Sequence, residues 1–126
     1  MSLGTSTPEQ RLKGIEKHLS SAERMMQDAG PGGLDDATAS AIQKELTRAR
    51  KLLSRSETKQ KEYIDAALFN LPQVGEASSE DTSKRIFDGM MGLTRAARGK
   101  NQEKLTALNE ADDRSAALRK STRRES

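Results

Sequence analysis

Tyr63-Ile64-Asp65-Ala66-Ala67-Leu68-Phe69-Asn70-Leu71, closed by Pro72, is the densest apolar stretch of the chain and holds two of its three aromatic residues. The third, Phe87, follows a polar loop within Ile86-Phe87-Asp88-Gly89-Met90-Met91, so the two segments are expected to bury surface against each other. Val occurs only at Val74 and Ile is scarce, which leaves little material for strands. Ala, Leu, Glu, Lys, Gln and Arg are abundant, and these are the strong helix formers. The expected fold class is therefore all-α.

Working back from that stretch, Ile42, Leu46, Ala49, Leu53, Ser56, Gln60, Tyr63 and Ala67 alternate spacings of four and three, with Leu52, Ile64 and Leu68 widening the stripe. No Gly or Pro interrupts residues 34–71, so one long helix is the simplest reading, started by Asp35 or Asp36 and ended by Pro72, which disfavours helical geometry in the residue before it. Its seam turns polar at Ser56 and Gln60, and Ser54-Arg55-Ser56-Glu57 has capping-box form, so a break near Ser54 is the alternative. Upstream, Thr7-Pro8-Glu9-Gln10 reads as a helix start, and Leu12, Ile15, Leu19, Ala22, Met26 and Ala29 form a narrow seam. Gly30-Pro31-Gly32-Gly33 ends that helix and turns the chain into an antiparallel hairpin.

Downstream, Ser78 or Ser79 with Glu80 and Asp81 starts a third helix carrying Ile86, Met90, Leu93 and Ala97, which Gly99 is expected to end. Gly89 and Gly92 weaken it and would allow a close helix approach. A fourth, weaker helix over about 101–120 has only Leu105, Leu108, Ala111 and Leu118 as anchors. The expected organisation is a flexible N-terminus at 1–6, a helical bundle domain over 7–98 built on the long hairpin, and a basic, weakly anchored segment at 99–126.

Hydrophobic residues make up 33% of the 126 and Trp is absent, below the roughly 45–50% usual for globular domains, so the core is thin and help from a partner is expected. The net charge of +3 is unevenly spread: residues 1–53 carry +1, residues 54–82 carry −3 and residues 83–126 carry +5. The absence of Cys excludes disulfides, thiolate metal sites and thiol catalysis, and favours an intracellular or virion-type setting. No apolar run approaches the ~20 residues that span a bilayer.

No catalytic or metal constellation emerges, and no cofactor or small-molecule substrate is expected. His18 is the only histidine and reads as a surface or seam-edge residue. Ser56-Glu57-Thr58-Lys59 has Ser-x-x-Lys spacing without the other motifs such enzymes need. Asp35/Asp36 and Asp112/Asp113 point about 100° apart on a helix and cannot converge on one atom. Gly30-Pro31-Gly32-Gly33 lacks the Lys of a phosphate loop, and Gly89-Met90-Met91-Gly92 has only the spacing of a nucleic-acid clamp.

The expected function is a non-enzymatic helical adaptor or assembly component, built either as a four-helix bundle or as an oligomer that self-associates through its coiled-coil-like seams. Its partner contacts are expected at Phe87, Met90 and Met91, a soft and adaptable patch, and along Leu12, Ile15, Leu19 and Met26. The alternative is a small basic, plasmid- or phage-like nucleic-acid-associated protein that contacts phosphates through Arg95, Arg98, Lys100, Lys104, Arg119, Lys120, Arg123 and Arg124.

Overall fold

A computed structural model describes residues 7–125, with side chains through Ala111 and at Asp113 and Arg114. The described residues fold into four helices: α1 (Pro8–Ala29), α2 (Asp36–Leu52), α3 (Thr58–Glu76) and α4 (Glu80–Glu125). Among the described residues there is no strand, so the protein is all-α. The expected flexible N-terminus, residues 1–6, lies outside the described residues.

Local chemistry sets most helix starts. Thr7 and Gln10 close a reciprocal capping box, with Thr7 Oγ1 accepting from Gln10 N–H at 3.1 Å and Gln10 Oε1 from Thr7 N–H at 3.2 Å. Asp35 caps α2 by accepting from Thr38 N–H at 2.7 Å, and this bond holds its carboxyl below the usual range. Ser79 Oγ accepts from Thr82 N–H at the head of α4. Gly30 ends α1 at φ 66°, a left-handed conformation that favours glycine.

Two expected boundaries are corrected. The stretch 34–71 is not one helix: it breaks over residues 53–57, as the capping-box alternative indicated. A single helix of that length would run about 55 Å, whereas α1, with 22 residues, covers about 33 Å. Folding back at the break lets Ile64, Ala67, Leu71 and Val74 bury themselves instead of standing in water. Pro72 does not end α3, which continues to Glu76: Val74 past it is buried, Gln73 Nε2 bonds Phe69 O at 3.0 Å, and Ser83 Oγ bonds Val74 O at 2.8 Å. These gains offset the single N–H that Pro72 lacks.

The expected third and fourth helices are one. Gly99 does not stop α4, because Asn101 just beyond it is fully buried and Leu105 and Leu108 pack against the core. Nor do Gly89 and Gly92 mediate close packing: a Cβ at Gly92 would meet nothing within 4 Å, and one at Gly89 only Asn70 Nδ2 at 3.9 Å.

The helices pack cyclically, α1 on α2, α2 on α3, α3 on α4 and α4 on α1. Cross-helix bonds set their directions. Arg50 meets Asp65 between α2 and α3, near the end of one and the start of the other. Asn101 bonds Leu12 and Arg95 pairs with Glu23 between α4 and α1, so rising numbers on one match falling numbers on the other. All neighbours are thus antiparallel, in the up-down-up-down arrangement of four-helix bundles. One end of the bundle carries the loops at 30–35 and 77–79. The opposite end carries the start of α1 and the turn between α2 and α3. Because Asn101 is level with Leu12, α4 passes this opposite end soon after Leu108, and residues 109–125 extend beyond it.

Candidate functional site

The seven side chains expected to face a partner are interior. Ile15, Leu19, Met26 and Met90 are fully buried, and Leu12, Phe87 and Met91 nearly so. The narrow seams are completed within one chain: α4 lays Met90, Met91 and Ala97 where the sequence left room for a second molecule. While the bundle is closed these residues offer no surface for a partner.

The basic residues are largely committed too. Arg98 Nε reaches Glu16 Oε1 at 2.7 Å and its Nη1 reaches Glu23 Oε1 at 3.3 Å, and the Glu16 carboxylate raises its guanidinium's pKa. Arg95 pairs with Glu23 at 3.5 Å. Lys104 bonds Glu57 and, at 2.7 Å, Gln60 Oε1. Lys100 is half-exposed beside the same turn. Arg119, Lys120, Arg123 and Arg124 lie outside the described side chains.

Glu57 is the centre of a buried polar junction at the α2–α3 turn. Its Oε1 accepts from Arg11 at 2.5 Å and from Ser54 N–H at 2.7 Å, and Arg11 also donates to Leu52 O at 3.1 Å. Burial alone would push the carboxyl up, but hydrogen bonds from Lys104, Ser54 and Arg11 outweigh it and hold the pKa at about 2. A carboxylate so depressed stays ionised near neutrality, where its charge ties Arg11, Lys104 and the Ser54 N–H into one junction. Ser56 Oγ is engaged with Ser54 Oγ at 3.0 Å, and Lys59 lies over the Tyr63 ring at 5.7 Å, so the Ser-x-x-Lys pair does not assemble. His18 Nδ1 lies 2.8 Å from Glu45 Oε2, clasping α1 to α2; this bond holds the Glu45 carboxyl below its usual range.

The surface feature left unexplained lies on the other side of the anchor stretch. Phe69 is 71% exposed, the only large hydrophobic side chain so exposed among the described residues. On α3 it stands about 140–200° round from the buried stripe of Ile64, Ala67 and Leu71, so packing cannot cover it. Its neighbours Leu68 and Pro72 help line a groove of about 530 Å³ between the first half of α2 and the last half of α3, where Leu34, Ala39 and Leu71 meet the polar Ser40 and Gln43. Its charged lining residues are Asp36 and Glu76, with no cation among them. Pro72 has no N–H to offer the Leu68 carbonyl, which leaves that acceptor without its ordinary intrahelical donor.

The signal for this site is present in the sequence as a mismatch. Phe69 falls two positions beyond Ala67, off the spacing-of-three-and-four stripe. Density of apolar residues in Tyr63 to Leu71 hides that, because one apolar run serves two faces. No described helix is long and apolar enough to cross a membrane. The fold and groove define a four-helix bundle with an open groove of mixed polarity on one side. Comparison of the chain with protein-family models, curated proteins and solved structures gives no match.

Proposed function

We propose that the protein is a non-enzymatic helical adaptor or assembly component whose contact site is the α2–α3 groove with Phe69 on its rim. The observation that carries this reading is the 71% exposure of Phe69, one position from Leu68 and three from Pro72 in the lining of a groove of mixed polarity. Aromatic anchors next to grooves are the residues that dominate protein–protein contacts, and a groove between two helices accepts the apolar face of a third. The interior position of Phe87, Met90 and Met91 moves the contact from the α4 patch to α3. Engagement of Arg95, Arg98 and Lys104 by carboxylates takes three cations from the nucleic-acid alternative.

A photoreactive phenylalanine analogue at position 69 tests the reading in the full-length chain, with the same group at exposed position 59 as control. Discrete protein adducts specific to position 69 are expected, whether to a second copy or to another protein. Absence of any adduct, or identical adducts from both positions, would sink the proposal.

A further inference from the structure

Resting on the adaptor reading, we propose that the occupant of the α2–α3 groove is the overhanging end of α4 from a second copy of this chain, giving head-to-tail assembly. Charge singles out the occupant. The groove carries Asp36 and Glu76 and no cation in its lining, and Pro72 within that lining withholds the ordinary helical N–H donor from the Leu68 carbonyl. Within this sequence the stretch from Arg114 to Arg124 holds five cations, Arg114, Arg119, Lys120, Arg123 and Arg124, and no carboxylate. No other stretch of that length is so one-sided. Between its cations stand Ala116, Ala117 and Leu118, apolar like Leu34, Leu68, Leu71 and Pro72 of the groove.

Geometry then decides between the chain's own groove and another's. The groove is built from residues 34–43 and 68–76, at the bundle end that carries the 30–35 and 77–79 loops. Helix α4 leaves from the opposite end, and residues 109–125 of that helix project about 25 Å outward from there. A straight helix pointing away from the bundle cannot return to a groove at its far end. Dimensions agree as well: the eleven residues from 114 to 124 span about 16 Å, and the groove residues on α3, from Leu68 to Glu76, cover about 12 Å. Each copy thus offers one groove and one overhang on different surfaces. Such a heterologous contact builds rings or open chains, not closed two-fold dimers.

Two variants of the full chain test this. The groove variant combines Phe69→Arg and Glu76→Arg; the overhang variant combines Arg119→Glu and Arg123→Glu. Circular dichroism checks that each keeps wild-type helicity, and light scattering after size exclusion reads mass over a concentration series. Wild type is expected to form species that grow with concentration and weaken about tenfold or more between low and high salt, as screened charge pairs do. Each variant alone is expected to stay monomeric at concentrations tenfold above wild-type assembly. An equimolar mixture restores one contact, from an intact overhang into an intact groove, and gives a one-to-one dimer that grows no further. A wild type that is monomeric throughout, a mixture that stays monomeric, or assembly indifferent to the overhang variant would overturn the proposal. So would salt-sensitive nucleic-acid binding that the overhang variant abolishes and the groove variant leaves intact. A monomeric wild type whose position-69 probe still captures a different protein removes the second copy but spares the adaptor reading. No position-69 adduct at all removes both.

Discussion

Replacing Glu57 by Gln keeps its shape and removes its charge, and the structure sets the size of the effect. The side chain is only 5% exposed, and its carboxylate answers Arg11, Lys104 and the Ser54 N–H. Its pKa of about 2 in the fold lies below the ordinary 4.5 of an unfolded Glu. A depressed carboxyl contributes stability that is fully present above the unfolded pKa and is lost as pH falls through the folded one. The difference corresponds to about 3 kcal/mol at pH 7, and partial exposure of Arg11 and Lys104 brings the expected loss for Glu57→Gln to about 2–3 kcal/mol. At pH 3 most of the wild-type advantage has gone, and the gap between the two proteins should fall below about half its neutral value. Urea unfolding followed by far-ultraviolet circular dichroism at pH 7, 5 and 3 measures the gap directly. Other carboxylates titrate in both proteins and cancel. A gap under about 0.5 kcal/mol at pH 7, or one that stays constant down to pH 3, would refute the junction as described.

Three further outcomes are expected. Asn101 is fully buried, donates to Leu12 O at 2.8 Å and leaves its Oδ1 unpartnered; Asn101→Leu should therefore be neutral or stabilising by up to about 1 kcal/mol, while Asn101→Asp, which buries a charge, should cost about 2–4 kcal/mol in urea titrations. Met90→Ala should destabilise by about 2–4 kcal/mol and Phe69→Ala by less than about 0.5 kcal/mol, and thermal melts showing the reverse order would contradict the interior and surface assignments. Pro72→Ala should raise stability by about 1–3 kcal/mol, because it restores a helix hydrogen bond to the Leu68 carbonyl at an exposed position; an unchanged unfolding midpoint would show that α3 already accommodates the proline without loss.

The fold class, the capping of α1 and α2 and the apolar stripes of the helices were legible in the residues, because each depends on near neighbours. Thr7 and Gln10 lie one turn apart, and Leu12, Ile15, Leu19 and Met26 repeat at the pitch of a helix whatever they pack against. The same locality failed where a helix boundary depends on distant contacts. Nothing within a few residues of Pro72 or Gly99 says that the helix carries on. Buried Val74 and Asn101 do, and their burial exists only once α3 and α4 lie together. Glu57 shows the point from the other side: its capping-box spacing permitted a break, and Arg11 and Lys104, 46 and 47 residues away, anchor it.

The candidate site divides in the same way. Sequence alone determined that the protein is helical, that its apolar seams are narrow and that its positive charge gathers toward the last third, since period and charge are properties of the chain itself. Only the tertiary structure decided which apolar residues remain outside. Seam spacing marks a face without saying whether the covering surface comes from the same molecule. Once α4 closed the seams from within, Phe87, Met90 and Met91 became core, and Phe69, on the outer side of the same dense stretch, was left beside an acidic groove at the end of the bundle opposite the basic overhang.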